Sequence, residues 1–191
     1  IIDTGIDYQH PDFGGSGTLL DYQKNADRTH VNAQYFPTAK VVGGMDFVGD
    51  QYNGANTPMP DPNPMDCNGH GTHVAGTAAG FGVKTNGTAF SSGYDPTPNF
   101  SGFRIGPGVA PGAQLYALRV FGCGGGTNVL TEAIEWSMDP NNDGDLSDHL
   151  DVINMSLGSP LGFPSDVDAV AADTAAEAGV IVVAAAGNDG D

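Results

Sequence analysis

Five short apolar runs recur along the chain, and none of them alternates with polar residues. They cover residues 1–2, 40–47, 114–120, 151–155 and 180–185. Runs of this kind predict strands that are buried on both faces of a parallel sheet. Stretches with helical spacing lie between them, at 70–79, 129–138 and 167–178. The alternation predicts an α/β fold of three layers, in which helices flank a central, mostly parallel sheet.

Three loop segments interrupt this pattern. Residues 50–66 are rich in Pro, Asn and Asp, residues 81–112 are rich in Gly, Ser, Pro and Asn, and residues 139–151 are acidic. The second segment is too long for a simple connection, so we expect an insertion on one face of the fold. The first apolar run opens in mid-pattern. We therefore expect residues 1–191 to be the amino-terminal segment of one domain, whose fold is incomplete in this chain.

The charge of the chain argues against two classes of partner. It has 6 Lys and Arg against 23 Asp and Glu, which gives a formal net charge of −17. Such a chain repels the phosphates of nucleic acids and anionic membranes, and no apolar run approaches the roughly 18 residues of a membrane span. We expect no nucleic acid partner and no membrane span. The abundant carboxylates suit calcium as a cofactor.

Two polar residues follow predicted strands. Asp3 ends the first run in IIDTG, and Asn188 follows the last run in VIVVAAAGNDG. Functional groups gather at the carboxyl ends of strands in such sheets. Asp3 could orient another side chain there, and Asn188 could donate a hydrogen bond to a developing oxyanion. Taken singly, Asp3 is better explained as a turn former or helix cap, and a turn residue is the alternative explanation for Asn188.

A histidine stands between two glycines in NGHGTHVAGTAAG, residues 68–80. The glycines let backbones approach closely, and the small residues let the predicted helix pack against the sheet. His70 would then project from the first helical turn into a cleft. His70 and His73 can share a helical face, but HGTH lacks the glutamate of the zinc motif HExxH, which disfavours zinc.

These motifs, in this order, resemble the subtilisin-like serine peptidases, or subtilases. The resemblance rests on DTGID, HPDF, NGHGTHVAG, VAPGAQLYALRV, DVINMSLG and AAAGND, and it spans nearly the whole chain. It implies a serine endopeptidase that acts on polypeptide substrates. Asp3 matches the triad aspartate, which holds the imidazole in one tautomer, and His70 matches the general base. Asn188 matches the amide of the oxyanion hole.

The resemblance also implies a cleft in which a peptide binds as an added strand. The segment that pairs with the substrate is matched by Ser156, Leu157 and Gly158. The opposite side, which we call the glycine-rich rim, is matched by Gly124, Gly125 and Gly126. Part of the primary specificity pocket is matched by Ala185 and Gly187.

The nucleophile motif of the family, of the type GTSMAxP, is absent from these 191 residues. We therefore expect the serine to lie on the remainder of the catalytic domain, which would be a partner of this segment. Residues 1–191 alone should then be inactive. The alternative is a catalytically silent subtilase-like binding or scaffold module. The long loops resemble the larger, multidomain secreted members, which implies an extracellular location.

The two cysteines gain a meaning from the same resemblance. Cys67 lies three residues before His70, and Cys123 begins the glycine-rich rim. In subtilases these loops are neighbours near the cleft, which implies a Cys67–Cys123 disulfide rather than free thiols. A disulfide suits an oxidising, extracellular setting.

The acidic segment DPNNDGDLSDHLD, residues 139–151, resembles the first half of an EF-hand calcium loop. The twelfth position holds Leu150 instead of the usual glutamate. The predicted calcium ligands are Asp139, Asn141, Asp143, Asp145 and Asp148, with Asp151 as an alternative to Asp148 in place of that glutamate. A solvated acidic turn is the alternative. Asp12 in HPDF matches a carboxylate ligand of a structural calcium site of subtilases, whose usual partner loop is replaced here by the insertion at 81–112.

Overall fold

A computed structural model describes residues 1–25, 30–90, 93–94, 99–159 and 162–188. The strands in these residues are β1 (Ile2–Asp3), β2 (Val41–Asp46), β3 (Val83–Lys84), β4 (Phe103–Ile105), β5 (Leu115–Arg119), β6 (Val152–Met155) and β7 (Ile181–Ala184). A parallel sheet has the order β1–β5–β2. β6 and β7 form a second parallel pair, and β6 contacts β1. The predicted parallel strands are thus confirmed, although β2, β5, β6 and β7 are shorter than their apolar runs and β1 is shifted by one residue.

The helices are α1 (Leu19–Lys24), α2 (His70–Ala79), α3 (Leu130–Met138) and α4 (Val167–Glu177). Two neighbouring residues of β5 show on which face of the sheet the helices pack, because successive side chains of a strand point to opposite faces. Ala117 belongs to the apolar cluster that contains Ala75 of α2. Leu118 belongs to the cluster that contains Ile134 of α3 and Ala175 of α4. Helices therefore cover both faces of the sheet, and the predicted three-layer α/β fold is confirmed.

Three of the described helices and strands, α1, β3 and β4, lie outside the sequence prediction. α1 is capped by Thr18, whose hydroxyl accepts the N–H of Asp21 at 3.1 Å. The segment at 81–112, predicted to be an insertion, contains the antiparallel pair of β3 and β4. Within the described residues, no helix has the length and apolar character needed to cross a membrane.

Candidate active site

Asp3 and His70 meet between the end of β1 and the start of α2. His70 Nδ1 lies 2.8 Å from Asp3 Oδ1 and 3.0 Å from Oδ2. Asp3 is 1 % exposed, whereas 55 % of the His70 side chain is exposed. A carboxylate can only accept, so the hydrogen in this contact is assigned to Nδ1. The neutral ring then keeps Nε2 as a base.

Two glycines allow the strand and the helix to come this close. A Cβ on Gly71 would lie 2.2 Å from the carbonyl oxygen of Gly5 and 3.1 Å from Asp3. Gly5 has a φ of +100°, and a Cβ there would lie 2.5 Å from the carbonyl oxygen of Pro64. A larger residue at either position would push the two segments apart. The glycines of DTG and HGT therefore serve the approach of Asp3 to His70.

Asp66 belongs to the site, although the sequence motifs do not point to it. Its side chain is buried and accepts hydrogen bonds from Asn68 N, Gly69 N, Thr72 N, Thr72 Oγ1 and Thr4 Oγ1. Gly69, which precedes α2, has no side chain to cap the helix. Asp66 supplies that cap from three residues upstream. A usable signal was the composition DCNG, which is typical of an Asx turn.

The Thr4 hydroxyl completes the link between strand and helix. It donates to Asp66 and accepts the N–H of Gly71 at 2.8 Å. The N–H of Thr4 donates to Asp3 Oδ1 at 2.7 Å. The residue after Asp3 is therefore bonded to the residue after His70, which fixes the positions of both.

A cavity of about 290 Å³ opens beside the Asp3–His70 pair. Its lining residues are Asp3, Thr4, Asn68, His70, Phe121, Gly125, Ser156, Leu157 and Gly158. The pair thus lies with the whole segment predicted to bind the substrate and with one glycine of the rim. The cavity formed by the described residues does not include Gly124, Gly126, Ala185, Gly187 or Asn188. Asn188 is exposed, and its predicted oxyanion role stays a prediction.

The predicted disulfide is present. It joins Cys67 to Cys123, whose Cα atoms are 5.2 Å apart. Asn68 Nδ2 also donates to the carbonyl oxygen of Cys123 at 3.4 Å. The segment that leads to His70 is therefore tied to the start of the glycine-rich rim.

The loop at residues 50–56 supports the rim from a second direction. The N–H of Cys123 donates to the carbonyl oxygen of Asp50 at 3.0 Å. The N–H of Gly126 donates to the carbonyl oxygen of Asn53 at 3.1 Å. These bonds hold both ends of the rim, and sequence motifs do not reveal them because they join backbone atoms distant in the chain.

Arg119 supplies a buried positive charge beneath the disulfide. Its Nη1 atom is 2.7 Å from Asp50 Oδ1, and its Nη2 atom is 3.1 Å from Cys67 Sγ. Asp46 lies on the same guanidinium and is fully buried. Burial raises the pKa of Asp46, and the charge of Arg119 acts against that rise.

The residues predicted to bind calcium form successive turns. Asp139 accepts the N–H groups of Asp143 and Gly144 at 3.0 and 2.9 Å. Asp143 accepts the N–H of Asp145 at 2.8 Å. Asp145 accepts the N–H of Ser147 at 2.9 Å, and this bond holds the pKa of Asp145 below its ordinary value. The side-chain oxygens of these residues are the kind of ligand atom that calcium binds.

These carboxylates do not converge on one point. In the described parts of the chain, the one cluster of three acidic, His or Cys ligand atoms within 4.8 Å is formed by Asp50, Cys67 and Cys123. Its sulfur atoms are joined in the disulfide, so this cluster does not fit calcium. The chemistry of the acidic loop fits the ion, but no three of its carboxylates lie within 4.8 Å of one another.

Asp12 holds the start of the insertion. Its side chain is 3 % exposed, and its Oδ1 atom accepts the N–H of Gly82 at 2.7 Å. Its carbonyl oxygen accepts the N–H of Phe81 at 2.8 Å. Burial raises the pKa of this carboxyl group. The calcium role of Asp12 stays a prediction beside this structural one.

The parallel sheet, with a carboxylate at the end of β1 and an imidazole at the start of α2, defines a subtilisin-like α/β protein. The sequence model of the subtilase family, peptidase S8, matches residues 1–191. The chain belongs to this family.

Similar proteins agree with this assignment. The chain is 40 % identical over 154 residues to subtilisin DY of Bacillus licheniformis, covering 79 % of this chain and 42 % of that protein. It is 34 % identical over 192 residues to the minor extracellular protease Vpr of Bacillus subtilis. This match covers 100 % of this chain and 17 % of that protein. The chain thus spans less than half the length of these relatives.

Two solved structures share the fold. One is a protease of Pseudoalteromonas arctica PAMC 21717, with a TM-score of 0.58 and 28 % identity, covering 98 % of this chain and 48 % of the other. The second is sphericase, with a TM-score of 0.55 and 28 % identity. This match covers 100 % of this chain and 46 % of sphericase.

Proposed function

We propose that this chain is part of a secreted serine endopeptidase that hydrolyses peptide bonds through an Asp–His–Ser triad. The observation that carries the proposal is the contact of 2.8 Å between His70 Nδ1 and Asp3 Oδ1 at the edge of a cleft. A buried carboxylate behind an exposed imidazole is the arrangement that activates a hydroxyl nucleophile.

His70 is the proposed general base. Its Nε2 atom takes the hydroxyl proton of the serine as the serine oxygen attacks the peptide carbonyl carbon, and later gives this proton to the leaving amine. Asp3 holds the ring in the required tautomer and stabilises the imidazolium that forms. Asn188 is the proposed side-chain donor to the negative charge on the carbonyl oxygen.

The nucleophilic serine is proposed to come from a part of the protein outside residues 1–191. The absence of a GTSMA-type motif supports this proposal, as does the share of the relatives that the chain spans. Apolar exposure gives independent support. Ile181 and Val183 of β7 are 62 % and 47 % exposed, and Val167 of α4 is 72 % exposed. The remainder of the catalytic domain is the proposed cover for these side chains.

The proposed substrate is an extended polypeptide. It would bind between Ser156–Gly158 on one side and the glycine-rich rim on the other, with backbone hydrogen bonds to both. Ala185 and Gly187 are proposed to line part of the primary pocket. The disulfide would fix the position of the rim relative to the segment that carries His70.

Secretion is proposed on two grounds. The disulfide is a bond that persists in oxidising compartments. One relative is described as an extracellular protease.

Calcium is proposed as a structural ion of the acidic loop at 139–148. The proposal is supported by the spacing of its oxygen-bearing side chains and by Gly144, whose φ of +83° permits the sharp bend. Chelation with EGTA should lower the melting temperature of the protein, and Asp139→Asn with Asp143→Asn should remove the part of that response to which the acidic loop contributes. Asp12→Asn tests a second ion in the same assay. A melting temperature independent of calcium would contradict both sites.

Labelling by a fluorophosphonate, which reacts with an activated serine, tests the proposed function. The protein with its complete catalytic domain should be labelled and should digest denatured casein. His70→Ala should abolish both, and residues 1–191 alone should show neither. Labelling that survives His70→Ala would contradict the triad. A folded complete protein without labelling would support the silent binding or scaffold module.

A further inference from the structure

Three Asn-Gly pairs occur in the sequence, at 53–54, 68–69 and 86–87. The glycine nitrogen of such a pair can attack the side-chain amide carbon of the asparagine, since glycine has no side chain to hinder the approach. The structure separates the three pairs by what their glycine N–H groups do.

Two of the pairs are held by a hydrogen bond at the attacking nitrogen. Gly69 N–H donates to Asp66 Oδ1 at 2.9 Å. Gly87 N–H donates to the carbonyl oxygen of Lys84 at 2.8 Å. Each bond must break before the nitrogen can react. This slows the attack about tenfold, the rate factor that corresponds to about 1.4 kcal/mol.

The nitrogen of Gly54, in the third pair, makes no such hydrogen bond among the described residues. Gly54 N–H has no acceptor among the residues that the structure describes. Asn53 is exposed, and its Oδ1 atom accepts the N–H groups of Ala55 and Asn56 at 2.9 and 3.2 Å. Negative charge develops on this oxygen during the attack, so both donors stabilise the transition state.

The pair at 86–87 provides an internal comparison. Asn86 is also exposed, and its Oδ1 atom accepts two hydrogen bonds from Thr88, at 3.1 Å from the N–H and 2.8 Å from the hydroxyl. The two asparagines therefore differ chiefly in the bond at the following glycine nitrogen. We propose that Asn53 is a site of spontaneous deamidation in the folded protein and that Asn68 and Asn86 are protected.

The reaction needs only water. The Gly54 nitrogen gives up its proton to hydroxide and bonds to Asn53 Cγ. The bond between Cγ and Nδ2 breaks, and ammonia leaves with a proton taken from water. The resulting five-membered succinimide is opened by water at either of its carbonyl carbons. The products are aspartate and isoaspartate, and nothing is oxidised or reduced.

The modification would act on the glycine-rich rim. The carbonyl oxygen of Asn53 accepts the N–H of Gly126 at 3.1 Å, and that of Gly54 accepts Asn128 Nδ2 at 3.3 Å. A Cβ on Gly125 would lie only 2.7 Å from Asn53 Cα. Isoaspartate lengthens the main chain by one methylene at this contact. The rim should then move, and extended substrates should bind less well. This consequence rests on the proposed function, whereas the reaction itself does not.

Peptide mapping by mass spectrometry tests the reaction. The complete protein carrying His70→Ala, which prevents self-digestion, is incubated at mildly alkaline pH, both folded and unfolded in urea. In the folded protein Asn53 should react about tenfold faster than Asn68 and Asn86, and in urea the three rates should converge. Equal rates in the folded protein, or a faster reaction at Asn86, would overturn the proposal.

Kinetics of matched variants test the consequence for the cleft. The active protein, Asn53→Ser and Asn86→Ser are each compared before and after the same incubation. KM for a long peptide should rise with the modified fraction in the active protein and in Asn86→Ser, and it should stay constant in Asn53→Ser. A constant KM despite isoaspartate at 53 would overturn the link to the rim. An enzyme with no activity would contradict the proposed function and leave the mapping result intact.

Discussion

The guanidinium of Arg119 lies 3.0 Å from the carboxylate of Asp46, and neither side chain is exposed to solvent. The two residues are direct neighbours in the register of β5 and β2. The same guanidinium nitrogen lies 2.7 Å from Asp50. One buried cation therefore faces two carboxylates next to the Cys67–Cys123 disulfide.

Removal of the Arg119 charge should lower the stability of the fold strongly. Arg119→Met leaves the buried Asp46 with only the N–H groups of Val48 and Gly49 as partners, at 2.8 Å each. We expect the free energy of unfolding to fall by about 3–5 kcal/mol, measured by urea titration. Adding Asp46→Asn should restore part of the loss, because the amide is neutral and can still accept both bonds. Purely additive losses would contradict this interpretation.

Asp61 should make stability depend on pH. Burial raises its pKa to about 6, and the charge of Asp46 adds to the rise. The folded protein thus binds this proton more tightly than the unfolded chain, so stability falls as pH rises between about 4 and 6.

Asp61→Asn removes this penalty and keeps an oxygen that can accept the N–H of Asn63. We expect a gain of about 1–2 kcal/mol at pH 8, less than the full shift would give because the side chain is partly exposed. Below pH 4 the gain should vanish. Urea titrations at the two pH values measure it, and an equal effect at both would exclude the carboxylate as the cause.

Asp66 should matter for stability and for catalysis together. Asp66→Ala leaves the N–H groups at the start of α2 without their cap, which should cost about 2–4 kcal/mol of unfolding free energy. The turnover of the complete enzyme should fall as well, because His70 stands at this helix start. Asp66→Asn, which retains an acceptor, should lose less in both assays. Wild-type stability in Asp66→Ala would refute the capping role.

Asp3 should act on the chemical step and not on substrate binding. In the complete enzyme, Asp3→Asn presents an amide to His70 Nδ1 and favours the wrong tautomer. A loss of about 10⁴-fold in kcat with little change in KM is expected. Steady-state kinetics on a peptide substrate measure it, and a loss confined to KM would speak against the assigned role.

The disulfide should contribute through the unfolded chain. It closes a loop between residues 56 positions apart, and its removal in Cys67→Ser with Cys123→Ser should cost about 2–4 kcal/mol. Urea titration measures the loss. Dithiothreitol should bring the unsubstituted protein to the level of the variant and leave the variant unchanged. A response of the variant to dithiothreitol would mean that the reductant acts elsewhere.

The sequence predicts the parts of this site that are encoded locally. α2 spans the predicted stretch 70–79, and α4 ends one residue before the predicted stretch 167–178 does. The resemblance to subtilases implied the pairing of Asp3 with His70 and of Cys67 with Cys123, and both contacts are present. The helix predictions hold because each depends on a short stretch with strong local preferences, whereas the two pairings came from the resemblance.

The supports of the site could not be found in this way. Asp66 caps α2 through a turn that has no helical pattern of its own. Arg119 lies in an apolar run of the sequence, and this run predicts only a buried strand. The folded chain places the carboxylates of Asp46 and Asp50 within 3.0 and 2.7 Å of its guanidinium. The loop at 50–56 reaches the rim through backbone atoms, which carry no mark in the sequence. Such long-range contacts follow from packing.

β5 lies between β1 and β2, although it follows both in the chain. Ile2 pairs with Leu118, and Asp3 pairs with Arg119. A nascent chain that ends before Leu115 therefore contains both Asp3 and His70 but lacks the strand to which β1 bonds. Contacts of such long sequence separation form slowly. The Asp3–His70 pair should thus be among the last features of the fold to assemble, so that partly synthesised chains contain both residues without the contact between them.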